Sequence, residues 1–371
     1  MPELDSIRGV ASLTVVFLHF HDMWMPDNPA SLASWQSGLL TLLKPFYSGG
    51  EAVILFFVLS GLVLSMPYLK GKGQPYPKYL ARRILRIYGP YLAALALALC
   101  GVAIWHGHAS HGAWSNISWT QPISPLLVLQ HVLFVGVYNN HEYDFVIWSL
   151  IQEMRISIIF PFLFLLSARI GAKLSVFLAI VLSATALAVV PSFPDLSARY
   201  NLVITLHYMA FFIAGILLAS RLDKIKLWWA KTSSVTHWAI AIASFTAYAY
   251  DMAFSLRLVK LVLHSTSVTP STGSIVANWF SCLGAIGLII VALNGRPAKR
   301  LLTTAPAHFL GRISYSLYLV HPTVLLALTY ACGDRISMWI QFPVYVTLAL
   351  VIGWLFCKIV EEPFIKLSRS V

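Results

Sequence analysis

Apolar runs close to twenty residues long recur along the whole of this 371-residue chain, parted by short polar breaks. They occupy roughly 5–23, 50–69, 87–106, 146–168, 173–191, 202–220, 236–254, 274–294, 308–331 and 338–360. Each is near the ~20 residues that a helix needs to cross a hydrocarbon core ~30 Å thick. The pattern predicts an all-α polytopic membrane protein with about ten transmembrane helices in a single membrane-embedded domain, 1–371. A further run, 124–137, is shorter and holds Gln130 and His131; whether it spans decides every later orientation.

The basic residues arbitrate. If 124–137 does not span, both termini are cytoplasmic. The cytoplasmic side then collects Arg8, Lys70, Lys72, Lys78, Arg82, Arg83, Arg86, Arg169, Lys173, Arg221, Lys224, Lys226, Lys231, Arg296, Lys299, Arg300, Arg312, Lys358, Lys366 and Arg369. Only Lys44, Arg199, Arg257, Lys260 and Arg335 are left outside. If the run spans, the Arg169/Lys173 turn and the Arg221–Lys231 loop move outside, against the positive-inside rule. Ten crossings are therefore expected, with 124–137 re-entrant or lying at the outer surface. The long outer connections 24–47 and 107–145 carry Trp24, Trp35, Trp114 and Trp119. They read either as interfacial aromatic anchors or as a roof over a substrate site.

Composition agrees. Charged residues make up 11% of the chain, less than half the ~25% of an ordinary soluble domain. The net charge of +12 invites a nucleic-acid reading, but its one-sided distribution is that of membrane orientation. Cys100, Cys282, Cys332 and Cys357 fall in or beside apolar segments without metal-type spacing, so buried thiols and no disulfide framework are expected. The first apolar run follows an early arginine but no Ala-x-Ala-like site ends it, so it is read as a retained helix rather than a signal peptide.

That first helix carries chemistry. Arg8 and His19 are eleven residues apart, which at ~100° and ~1.5 Å per residue returns them to nearly one face about 16 Å apart. Asp5 and Ser12 share the stripe. Ionisable groups at membrane depth usually mark function. Arg82 and Arg86 open the third predicted helix four residues apart, with Arg83 between them; paired guanidinium forks suit a phosphorylated ligand, and equally a juxtamembrane anchor on anionic lipid. Glu153 stands in an apolar helix with Ser149 and Ser157 a turn to either side, either functional or paired structurally with an arginine of another helix. Ser314, Tyr318 and His321 recur at i, i+4 and i+7 just before Pro322 and so share a face. His321 alone reads as a packing histidine, but two intramembrane histidines and a carboxylate together point to a site. The cluster His106-Gly-His108-Ala-Ser-His111 lacks a carboxylate or cysteine to complete a metal set, and no metal is expected. Asn116-Ile-Ser118 matches a glycan acceptor pattern, a weak signal.

These segments, taken in order, resemble the acyltransferase 3 family of integral-membrane O-acyltransferases over nearly the whole chain. The resemblance rests on Leu4-Asp-Ser-Ile-Arg8-Gly-Val-Ala through His19; Phe56-Phe-Val-Leu-Ser60-Gly61; Arg82-Arg83-Ile-Leu-Arg86 with Pro90-Tyr91; Trp148-Ser-Leu with Glu153; and Ser314-Tyr-Ser-Leu-Tyr-Leu-Val-His321-Pro322. The chain departs from the family after the glutamate, where Ile156 and Ser157 replace an aromatic pair and Arg155 adds a charge. The resemblance includes no appended esterase-like domain, so a membrane domain alone is expected.

The resemblance implies transfer of an acyl group, most often acetyl, from cytoplasmic acyl-coenzyme A to a hydroxyl of an extracytoplasmic or membrane-held acceptor. A sugar of a surface polysaccharide or lipid-linked glycan is the expected acceptor, in a bacterial cytoplasmic (inner) membrane; some family members acylate macrolides instead. On that reading His19, Glu153 and His321 are catalytic. Arg8, Arg82, Arg83, Arg86 and Arg312 hold the coenzyme's phosphates, and Asp5, Ser314 and Tyr318 line the acceptor side. His19 is either general base or a covalent acyl relay; Glu153 orients the site, and His321 binds the acceptor or stabilises the oxyanion. Two other readings stay open. A proton-coupled transporter using His19 and Glu153 requires a gradient and no coenzyme. A non-catalytic assembly partner for glycan synthesis would leave histidine substitutions silent.

Overall fold

The computed structural model describes residues 1–25, 33–107, 116–133, 139, 141–189, 198–263 and 270–371. Among them all regular structure is helical. The helices are α1 (Pro2–Trp24), α2 (Ser34–Leu43), α3 (Gly49–Leu69), α4 (Tyr76–Ile104), α5 (Pro125–Leu133), α6 (Ile147–Val189), α7 (Ala198–Ala219), α8 (Leu222–Lys231), α9 (Ser234–Ala249), α10 (Asp251–Leu263), α11 (Pro270–Asn294), α12 (Arg296–Leu302), α13 (Ala305–Cys332), α14 (Met338–Phe356) and α15 (Glu362–Ser370). A π-helical turn, Cys357–Glu361, joins the last two.

Helices are what lipid permits, because each closes its own backbone hydrogen bonds. Seven helical stretches among the described residues are long and apolar enough to cross a bilayer, or eight if Ser234–Ala249 and Asp251–Val259, bent by 75°, form one span. α1 is 23 residues long and opens with Glu3, Asp5 and Arg8. α6 is a 43-residue helix holding two of the predicted runs. Gly171 separates them at φ 76° and ψ 175°, a backbone conformation that glycine enters without a Cβ penalty. Over its described residues each predicted apolar run is helical apart from its ends, except that 236–254 is divided between α9 and α10, which meet at the 75° bend. The shorter run forms α5, whose nine residues rise only about 13 Å, under half of a hydrocarbon core. Its last residues, 134–137, lie outside the described residues, as do His108, His111 and Trp114.

The chain divides into two compact units, each assembled from separated stretches. The first comprises Met1–Arg8, Gly50–Tyr76 and Arg155–His308. In it Phe57 of α3 meets Tyr208 and Phe212 of α7, with ring centroids 4.9 and 5.8 Å apart. Arg155 donates to the backbone carbonyl of Asn201 at 2.9 Å and to its side-chain oxygen at 2.8 Å. The charge by which the chain departs from the family pattern is thereby satisfied. Deeper in α7, His207 bridges Ser183 at 2.8 Å and Asn278 at 3.2 Å.

The second unit comprises Gly9–Gly49, Pro77–Met154 and Phe309–Val371. α13 is its axis. A Cβ on Gly9 of α1 would lie 2.3 Å from the Gly311 nitrogen, so the two backbones touch, the close crossing that small residues allow in membranes. One turn on, Ser12 donates to the Ser314 carbonyl at 3.1 Å. On α14, Gly353 opens the matching space for Leu317. α5 rests on α4 through Tyr91, which donates to the His131 carbonyl at 3.0 Å, and through Tyr88, which donates to the Val132 carbonyl.

A small polar roof completes the unit. Trp119, fully buried, donates its backbone N–H to the Glu142 carbonyl and its indole N–H to the Tyr143 carbonyl, at 2.8 and 2.9 Å. The Trp119 φ of 58° is uncommon for a bulky residue, and these hydrogen bonds hold it there. The Glu142 carboxylate accepts from the backbone of Thr120 and Gln121. Ser118 is also buried and donates to the His141 carbonyl. Trp119 is therefore structural cement, whereas Trp35 is 68% exposed.

Candidate active site

Two layers of functional side chains lie inside the second unit. α13 links them: from Arg312, the residues Tyr315, Tyr318 and His321 follow at steps of three, climbing about 14 Å and turning halfway round the helix, so that Arg312 and His321 stand on opposite faces.

The deeper layer is an imidazole pair. His19 of α1 and His321 of α13 stack with ring centroids 5.3 Å apart and planes 18° from parallel. Phe145 meets His19 edge-on at 4.9 Å, and Tyr318 meets His321 edge-on at 5.8 Å. Both histidines are buried, His19 at 9% and His321 at 0% exposure. The first therefore faces its partner ring rather than lipid. His321 Nδ1 lies 3.0 Å from the Leu317 carbonyl. A carbonyl only accepts, so Nδ1 carries the proton and the neutral ring's Nε2 presents a lone pair. No described residue partners that nitrogen. Tyr318 is held by Ser149, whose hydroxyl lies 2.6 Å from its own, and both reach the Val146 carbonyl.

The second layer is charged. Arg83 of α4 donates to Glu153 of α6 at 2.9 Å, with the two side chains 13% and 21% exposed. Glu153 sits one turn beyond Ser149 and so lies below the imidazole layer. Tyr315 donates to the Ile87 carbonyl at 2.8 Å and lies within Coulomb range of Glu153, Glu361, Arg83 and Arg86. Glu361, buried in the π-helical turn, accepts from Ser316 at 2.5 Å. Outside this layer, Arg312 makes two hydrogen bonds to one oxygen of Glu362, at 3.0 and 2.6 Å. Arg82 donates to the Arg369 carbonyl at 3.4 Å.

The structure brings together His19, His321 and Tyr318, and pairs Glu153 with Arg83 about one turn of α6 from Ser149, the partner of Tyr318. Arg82 and Arg86 share one face of α4 while Arg83, a step round the helix, turns to α6. Arg312 stands about two and a half turns of α13 from His321, on the opposite face. Ser314 is taken up by packing: its hydroxyl donates to the Gly311 carbonyl at 3.0 Å and its carbonyl takes Ser12. Asp5, exposed, and Arg8, half-buried, belong to the first unit. Sequence reasoning passed over Asp144, Phe145 and Glu361. The chain has only 14 acidic residues; Asp144, flanked by aromatics just before Trp148, was visible as one of them.

Buried imidazoles, one with an open nitrogen, next to a tyrosine–serine pair and above a guanidinium-rich layer are the equipment of proton transfer from a hydroxyl. The long apolar helices are those of an integral membrane protein. The family model for the acyltransferase 3 domain, described as "Acyltransferase domain", matches residues 1–358. The chain belongs to that family and is an integral-membrane O-acyltransferase. It is similar to the O-acetyltransferase PaAT-1 of Phomopsis amygdali, 22% identical over 418 residues that cover 95% of this chain and 79% of that protein. No solved structure matches it.

Proposed function

We propose that this protein moves an acyl group, acetyl in the simplest case, from cytoplasmic acyl-coenzyme A to a hydroxyl of an extracytoplasmic or membrane-held acceptor, such as a sugar of a surface polysaccharide or lipid-linked glycan. The observation that carries the reading is the buried stack of His19 on His321 at 5.3 Å, in a unit that also holds Arg82, Arg86 and Arg312. His19 removes the acceptor's hydroxyl proton as its oxygen attacks the thioester carbonyl. The carbon–sulfur bond then breaks, and the leaving thiolate recovers the proton from the imidazolium. His321, through the lone pair of its buried Nε2, accepts a hydrogen bond from the acceptor. The tautomer supports this role over oxyanion stabilisation, which needs a donor. Arg82, Arg86 and Arg312 receive the coenzyme's phosphates. Arg83 and Glu153 hold the floor of the site. The likeness to an O-acetyltransferase supports acetyl as the group transferred.

The test is the purified protein with labelled acetyl-coenzyme A. His19→Ala should lose transfer by roughly 10²–10⁴-fold, the usual contribution of a placed base. Near-normal transfer would end the assignment. Label trapped on the wild-type protein by acid quench would make His19 a covalent relay instead.

A further inference from the structure

The turn before α6 holds a carboxyl that the reaction above does not use. Asp144 is wholly buried. Its Oδ1 accepts from the Val146 N–H at 3.2 Å and its backbone carbonyl accepts from Ile147 at 3.3 Å, the pattern of a helix N-cap. A cap uses one oxygen. The other, Oδ2, is buried and has no hydrogen-bond partner among the described residues. Serine or asparagine would cap as well, at far lower cost than a buried carboxyl with an unmet oxygen. Burial pushes this carboxyl up to about 7, against the opposing pull of the Val146 hydrogen bond.

Its neighbours are those of the site. Phe145, the next residue, lies against His19. Val146, the one after, takes the hydroxyls of Tyr318 and Ser149 on its carbonyl. The turn itself is pinned to Trp119 and Ser118 by the roof hydrogen bonds at Glu142, Tyr143 and His141. This corner of the second unit therefore contains two buried acceptor atoms that lack a donor among the described residues, Asp144 Oδ2 and His321 Nε2.

We infer that Asp144 is an acceptor-binding residue whose second carboxyl oxygen takes a hydrogen bond from a hydroxyl of a polyhydroxylated acceptor, beside the hydroxyl that reaches the imidazole pair. The inference rests on the acyl-transfer reading above and narrows its acceptor. A molecule with a single hydroxyl gives its one proton to His19 and leaves both open atoms buried and unmet. A polyol satisfies both. With the carboxyl at about 7, roughly half of it is ionised at neutral pH, and that form makes the strong, charge-assisted hydrogen bond; a site built around such a bond rejects analogues that lack the partner group.

The test uses the full chain and the variants Asp144→Asn and Asp144→Ser, which both keep a capping oxygen. Two quantities are read: acetyl-coenzyme A binding by the purified protein, and base-labile labelled acetate in whole-cell extracts of the source strain lacking the gene and complemented with each variant. The variants should melt no lower than the wild type and bind acetyl-coenzyme A as it does, yet incorporate about tenfold less acetate or lower, the size of a lost charge-assisted hydrogen bond. Incorporation within about twofold of wild type would reduce Asp144 to a cap. Parallel loss of coenzyme binding, or failure of both variants to fold, would make the carboxyl structural. Each of those results overturns the inference. A wild type that neither binds acetyl-coenzyme A nor incorporates label would overturn the acyl-transfer reading itself, a distinct outcome.

Discussion

Replacing Glu153 by glutamine separates two roles that its sequence left equally open. The carboxylate sits 2.9 Å from the Arg83 guanidinium, and both side chains are largely buried, at 21% and 13% exposure. At that separation and an effective dielectric of ~20 the bare attraction is about 6 kcal/mol. Withdrawing both ions from water consumes most of it, several kcal/mol per ion. The intact pair therefore adds little net stability, whereas removing one partner strands a charge at a cost of roughly 3–5 kcal/mol. The partial exposure puts Glu153→Gln near the lower figure, about 3 kcal/mol. Arg83→Met should cost about as much, and the double variant should recover most of the loss, a coupling well above the ~0.5 kcal/mol scatter of independent sites. Reversible unfolding in mixed micelles measures all three. Additive losses, or a silent Glu153→Gln, would refute the ion-pair account. Acetyl transfer by the double variant then sorts the chemistry: recovered activity marks the pair as scaffold, while lost activity in a restored fold returns Glu153 to the reaction.

Three further expectations concern packing, coenzyme binding and pH. A valine at Gly9 would put atoms where Gly311 backbone already lies, since even a Cβ there would stand 2.3 Å from the Gly311 nitrogen; Gly9→Val should destabilise by about 1–3 kcal/mol or more, the range of overpacking, read from the same unfolding curves. Arg312→Gln should barely change stability, since exposed ion pairs are worth ~0–1 kcal/mol, but should raise the KM for acetyl-coenzyme A several-fold. Asp144 sets a pH signature. Its folded carboxyl, at about 7, lies above the ordinary 3.8, so the folded chain binds the proton more tightly than the unfolded chain does. The stability this confers is present in full below about 4 and is lost as pH rises through about 7. The melting temperature of Asp144→Asn relative to wild type should therefore climb across that window and level off above it; a flat difference would refute the assignment.

The roof shows where hydropathy misleads. Trp119 reads as an interfacial anchor or a lid residue in a long outer connection, yet it is fully buried with its indole N–H bonded to Tyr143. Ser314 shares a helical face with Tyr318 and His321, as its spacing requires, but its hydroxyl bonds within its own helix because Ser12 and Gly9 close off that level of α13. Arg83 carries the same charge as Arg82 and Arg86, and only the phase of α4 against α6 makes it the partner of Glu153.

The amino-acid order alone determined the class of this protein. Lipid supplies no hydrogen bonds, so each long apolar run had to become helical, and the scarce polar groups within those runs, His19, Glu153 and His321 among them, were the positions at which to look for a site. Tertiary structure alone decided how those groups are used. His19 and His321 are about three hundred residues apart in the chain, and their stacking follows from a glycine-lined crossing of α1 and α13 that no local period encodes. The open oxygen of Asp144 is likewise a property of what surrounds it, because whether a buried polar atom has a partner depends on every element packed against it and on no residue by itself.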